Sequence, residues 1–247
     1  MSLNVAVVYH PNDTQGQPLL WFNLASNPQH ASERGDFIDF HHWLEKKQVQ
    51  ADSRHSNLYL FLAQELVSFH QVNVPEGVKR NVQKLLPVLL EEQIAQDIDE
   101  IAVHYVAEAI NETEDDTHAN TAVWDKKALA QLMGALKTST GESGDLSRRH
   151  DIRIKACLPI SACAGLADML PEYAVRADFW QILPQVPSDD RVALKHSDSG
   201  DQLNVQLESH RWNLISPEQS EISPLYGVFA LGLLAASLYL VNQWLSL

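Results

Sequence analysis

The last stretch of the chain constrains its fold most. From Leu225 to Leu247 there is no charged residue, and the run is mostly Leu, Ala, Val, Gly and aromatics, with Ser237, Asn242, Gln243 and Ser246 its polar members. A bilayer core about 30 Å thick is crossed by roughly 20 apolar residues in a helix rising about 1.5 Å per residue. Inside lipid each backbone N–H and C=O must be satisfied within the segment, so a helix is the natural form. Tyr226 and Trp244 fall near the two ends, where amphipathic rings favour the interface. Gly227, Gly232, Ala235 and Ala236 are small enough to let a neighbouring helix approach closely. The run predicts a single C-terminal transmembrane helix over 223–247. The competing form, a buried core helix, would ordinarily carry a polar edge at this length.

Arg211 is the nearest base before the run and none follows it, so the positive-inside rule places the bulk of the chain in the cytoplasm. The N-terminus, Met1-Ser-Leu-Asn-Val-Ala-Val-Val-Tyr9, lacks a basic region and a long apolar core, so no export signal is expected there. Cys157 and Cys163 do not make a disulfide framework and suit a reducing compartment, as packing residues rather than nucleophiles. The net charge of −14 opposes nucleic-acid binding and broad contact with an anionic membrane surface. It fits a basic protein partner, or solubility alone. The soluble part, about 220 residues, is long enough for one large domain or two small ones.

In chain order, Asn4–Tyr9 and Leu19–Leu24 read as a hairpin around the turn residues Pro11–Gly16. Residues 26–36 read as a polar loop and Phe37–Lys46 as a short helix. His41 and His42 are adjacent, point apart on a helix and make a poor metal pair. Leu58–Leu62 is a strong apolar run. Val67–Val74 alternates as a strand ending at Pro75. Val78, Val82, Leu85, Leu86, Leu89 and Leu90 recur at spacings of three and four, one apolar helix face. Pro87 lacks an N–H and clashes with the Gln83 carbonyl, so a kink or break is expected there. Ile101–Val106 is a strand, Trp124–Lys137 an amphipathic helix and Thr138–Arg149 a turn-rich linker. Ile160–Leu170 reads as a small-residue helix. Phe179–Leu183, Val192–Lys195 and Leu203–Leu207 read as strands, the last after a turn at Ser197–Asp201.

One stretch is specific. Pro87, Leu90, Glu91, Glu92, Gln93, Ala95 and Asp97 fall at the end of the leucine-rich segment, just before the strand carrying His104. They resemble the pattern found in GspL, the inner-membrane platform protein of the bacterial type II secretion system. Thr121–Met133 and Ile152–Pro159 resemble the strands and helix that follow in that family. The likeness follows the order of elements over roughly residues 57 to 245, and the first 56 match poorly. The resemblance implies an α/β cytoplasmic module with the actin-like (RNase H-like) fold. It would have two subdomains, over 1–110 and 111–222, before the single transmembrane helix. It also implies a small periplasmic α+β domain beyond the span, which this sequence does not contain, so contacts of such a domain are not carried over.

The implied partners are the secretion ATPase (GspE-like), GspM-like and GspF-like platform proteins, a second copy in a possible homodimer, and the membrane through the C-terminal helix. Nucleic acid is not among them. Between Lys84 and Lys126 there is no Lys or Arg, while acidic residues are dense. Glu91, Glu92, Asp97, Asp99 and Glu100 in this block are the candidate docking residues for the ATPase, since clustered like charge steers an oppositely charged partner. A solvated face with an acidic loop over 111–120 is the plainer reading of the same charges.

Catalytic signatures are missing from the sequence. There is no Gly-x-x-x-x-Gly-Lys-Ser/Thr and no Gly-x-Gly-x-x-Gly, and Gly141 and Gly144 lack a following helix with Lys. Asp97, Asp99 and Glu100 have no distant carboxylate marked as a partner for Mg²⁺. No Gly-x-Ser-x-Gly elbow occurs. The sequence therefore points to a non-catalytic scaffold without cofactor. An ATP-binding, PilM-like pilus platform protein and an unrelated tail-anchored adaptor remain as alternatives.

Overall fold

A computed structural model describes residues 2–11, 16–25, 32–53, 55–74, 82–91, 93–108, 117–138, 151–164, 166, 191–193 and 200–215. The expected membrane helix over 223–247, with Gly227, Gly232, Ala235 and Ala236, lies outside these residues. So do Glu92, the acidic stretch 111–116, almost all of the linker and the strand expected at Phe179–Leu183. Among the described residues no helix is long and apolar enough to cross a membrane. Residues 1–214 form one compact unit and 215–247 a second.

The hairpin expected near the N-terminus forms as β1 (Leu3–Tyr9) and β2 (Leu19–Asn23), paired antiparallel from Val5↔Asn23 to Tyr9↔Leu19. A short β3 (Glu33–Gly35) adds to β2, within the segment expected to be loop. Its three residues carry no apolar pattern, and pairing with β2 alone makes them a strand. Asp36 then opens α1 (Phe37–Gln50) with a capping box: its carboxylate accepts from Ile38 and Asp39, and Asp39 returns the bond to the Asp36 N–H. Helix α1 buries Phe40, Trp43 and Leu44, with Trp21 edge-on to Phe40 at 5.4 Å.

Strand β4 (His55–Leu62) lies parallel to β1, and β8 (Asp151–Pro159) parallel to β4. Leu58 to Leu62 are all buried, as a strand covered on both faces requires. The resulting sheet has the order β3-β2-β1-β4-β8.

A second sheet, β5-β7-β6, is antiparallel throughout: β5 is Ser68–Val74, β6 Ile101–Glu108 and β7 Thr117–Asp125. Helix α2 (Val82–Leu90) covers one face, packing Val82, Leu86 and Leu90 against Val72, Val74, Ile101 and Val123. The helix runs unbroken through Pro87, contrary to the expected break. Leu86 and Leu90, buried on either side of Pro87, hold the turn against the sheet. The pairs β6–β7 and β4–β8 each join a strand before residue 110 to one after it.

Asp125 ends β7 and caps α3 (Lys126–Lys137), accepting from the Ala128 N–H at 2.8 Å. Two expectations are corrected further on. Where a small-residue helix was expected after residue 160, the chain makes a 3₁₀ turn over Ile160–Ala162 and then β9 (Cys163–Ala164). Strand β9 pairs in parallel with the distant β10 (Val192–Ala193), a contact no local pattern reveals. Where Leu203–Leu207 was expected to be a strand, the chain is helix α4 (Gly200–Glu208). Val205 is 66% exposed while Leu207 is fully buried, so residues of equal parity do not share a face. A short alternating run does not distinguish the two periods, and tertiary contact decides.

The segment after α4 joins the two sheets. On the face of the second sheet opposite α2, Phe69, Ala122 and His104 lie in one row across β5, β7 and β6. Trp212 packs edge-on to Phe69 at 5.5 Å and lies 6.2 Å from the His104 ring. The Leu214 N–H donates to the Cys157 carbonyl and the Cys157 N–H to Asn213 Oδ1, on the outer strand of the first sheet. Tyr59 Oη, on β4, donates to Glu208.

Candidate protein-docking surface

The acidic block predicted from the sequence becomes a turn-rich segment between α2 and β6. Glu91, Asp97, Asp99 and Glu100 are all exposed there. The segment is anchored by its apolar member: Ile94 packs against the α2 core, and the Gln93 and Ile94 N–H groups both donate to the Leu90 carbonyl. Asp97 builds the next turn, accepting from the Asp99 N–H on its side chain and from the Glu100 N–H on its carbonyl. Lys126 closes the segment onto α3, its Nζ donating to the Asp99 carbonyl at 3.1 Å and its N–H to the Glu100 carbonyl at 2.9 Å. The lysine therefore binds backbone oxygens. The four acidic side chains are brought to one stretch of surface. Beside it, the outer face of α2 leaves Leu85 38% and Val88 58% exposed.

A cavity of about 600 Å³ adjoins this segment. It lies past the carboxyl ends of β1 and β4, at Tyr9 and Leu62, where open α/β sheets commonly hold ligands. Its apolar lining includes Phe37, Leu62, Leu66 and Leu132, and its polar lining Glu65, Gln96 and Asp125. Among the described residues no Lys or Arg lines it. Helices α1 and α3 begin at or beside it, and their N-terminal dipoles would attract anions. Asp36 and Asp125 already cap those two termini. The described lining thus offers a polyphosphate neither a cation nor an uncapped helix N-terminus.

His41 Nε2 lies 3.0 Å from the Ala135 carbonyl and ties α1 to α3. The thiols of Cys157 and Cys163 are fully enclosed, and burial pushes both pKa values well up, as expected of packing residues. The cavity and the Glu208–Leu214 strap were not found from sequence. Trp212 carried the one available signal, a large aromatic isolated among polar residues.

A family model described as type II secretion system (T2SS), protein L, matches residues 10–142, more than half of the chain. Among solved structures, the chain is similar to the cytoplasmic domain of EpsL, an inner membrane component of the type II secretion system of Vibrio cholerae. The two are 17% identical with a TM-score of 0.51, over 87% of this chain and 98% of that one, a likeness of fold. A PilM–PilN type IV pilus biogenesis complex is similar at 13% identity and a TM-score of 0.41, over 68% of this chain and 51% of that one. No curated protein matches the chain.

Proposed function

The chain belongs to the protein L family of the type II secretion system, and on that premise we propose that it is a non-catalytic scaffold of the inner membrane. Its α/β part faces the cytoplasm and docks the secretion ATPase. The apolar run 225–247 crosses the membrane and meets GspM-like and GspF-like platform proteins, with Gly227, Gly232, Ala235 and Ala236 at the helix contacts. The observation that carries the docking reading is the exposed acidic stretch holding Glu91, Asp97, Asp99 and Glu100, within the span that the family model matches. Glu92 belongs to the same stretch by sequence. The strand order of the larger sheet, with an antiparallel β1–β2–β3 meander and parallel β1, β4 and β8, supports the actin-like reading.

The ATP-binding, PilM-like alternative is disfavoured by the cavity, whose polar lining is acidic or neutral. The test of the scaffold reading is a binding titration with the cognate secretion ATPase. Reversal of Glu91, Glu92 and Asp97 to lysine should weaken binding at least about tenfold, chiefly by slowing association. Undiminished binding by the reversed variant would remove the acidic stretch from the docking site. Recovery of the intact chain in the soluble fraction would remove the membrane tether.

A further inference from the structure

The acidic stretch and the cavity are continuous. Gln96 belongs to the stretch and also lines the cavity. Asp125 lines it too, and its neighbour Lys126 binds the Asp99 and Glu100 carbonyls. Of the cavity's lining, Gln96 and Ala128 are exposed and Asp125 half-buried, which marks the mouth, while Leu62 and Leu132 are buried and Phe37 and Leu66 half-buried. Glu65 adds a further carboxylate, 3.4 Å from His10 Nε2. Asp125 Oδ1 accepts from the Ala128 N–H at 2.8 Å, so this carboxylate is fixed in place. Wholly charged surfaces give association rate but little retention, whereas a pocket filled by one large apolar side chain supplies the central energy of an interface.

Resting on the docking reading above, we propose that this cavity is the anchor site of the docking surface. It receives one aromatic or branched aliphatic side chain from a partner segment whose flanking residues are basic. Charge complementarity selects the flanks: Glu65 and Asp125 in the lining, with no Lys or Arg among its described residues, disfavour an acidic or phosphorylated segment. The apolar interior selects the anchor. The volume, about 600 Å³, falls within the roughly 300–1,000 Å³ typical of sites that enclose a ligand group.

The test uses the full chain in detergent and the purified cognate ATPase. Ala128→Trp and Gln131→Trp each place a bulky ring at the mouth from an exposed position of α3. Near-UV circular dichroism and the melting temperature check that each variant is folded. Either substitution should raise the dissociation constant at least about tenfold, with an effect insensitive to salt, while reversal of Glu91, Glu92 and Asp97 should give a salt-dependent loss. If the tryptophan variants bind as the unmodified chain does and the charge reversal still weakens binding, the docking reading stands and the anchor site is wrong. If neither changes affinity, both fall. Hydrogen exchange on the unmodified chain gives an independent readout. Bound ATPase should slow exchange over 126–135 as well as 91–100. Protection confined to 91–100 would overturn the anchor site.

Discussion

At the scale of single residues, Trp212 and His210 carry the most. Trp212 is buried against the row Phe69–Ala122–His104, edge-on to Phe69 and beside the His104 ring. Trp212→Ala should cost about 3–5 kcal/mol, the range for deleting a buried aromatic, measured by urea unfolding. His210 accepts the Trp212 N–H on Nδ1 at 3.2 Å, a bond that protonation of that nitrogen abolishes. Burial, and then the neighbouring His104, hold its pKa below the ordinary 6.5. Burial lowers His70 in the same direction, against a hydrogen bond that its ring donates to the Gln93 side chain. For both, the folded state binds fewer protons than the unfolded chain below pH 6.5. Stability is therefore whole above that pH and is lost as pH falls through the folded-state values. Melting temperatures should drop between pH 7 and pH 5, and His210→Asn should flatten the profile. A profile unchanged by the substitution would assign the loss elsewhere.

At the scale of elements, α2 separates two roles that the sequence merges. Its spacing of apolar residues marks the helix and an apolar face that leaves Val88 out, but not that Leu85 on that face stays 38% exposed. Leu86 is 1% exposed and Val88 58%. Leu86→Ala should cost about 2–5 kcal/mol, whereas Val88→Ala should stay within about 0.5 kcal/mol, both read from urea midpoints. A large effect at Val88 would mean that the outer face is covered within the free chain. The helix starts are decided locally. Asp36 and Asp125 each precede a helix and accept from its first turn, so replacing either by Ala should cost about 1 kcal/mol.

At the scale of the whole molecule, the Glu208–Leu214 strap bonds to the larger sheet at Cys157 and Tyr59 and packs on the smaller one through Trp212. It leads directly to the residues before the apolar run. A scaffold that passes assembly state to a membrane helix needs a stiff link at this place. Removing it should loosen both sheets together: in Trp212→Ala, amides of β6 and β8 should exchange faster in parallel. Acceleration in β6 alone would show that the sheets open independently. The scaffold reading also predicts that Mg-ATP leaves the melting temperature unchanged. A bound ligand at 100 times its dissociation constant would add about 2.7 kcal/mol, a shift of roughly 5–11 °C in a chain of this size.

The sequence by itself determined the parts governed by neighbouring residues. The hairpin β1–β2, the helices after Asp36 and Asp125, and the apolar faces of α2 and α3 follow from turn chemistry, capping and periodicity, which act over a few residues. Exposure of the acidic stretch was also legible, because several carboxylates in a row cannot be buried without partners. Only the tertiary structure decided the rest. Leu203–Leu207 satisfies two periods and becomes a helix because Leu207 is buried by elements far along the chain. Strands β3 and β9 exist through pairing with β2 and β10. The cavity arises where the ends of β1 and β4 meet α1 and α3, segments spread from Tyr9 to Ala135. Contacts between distant segments leave no mark on local pattern, since each residue's own propensity is weak beside the burial that its partners provide.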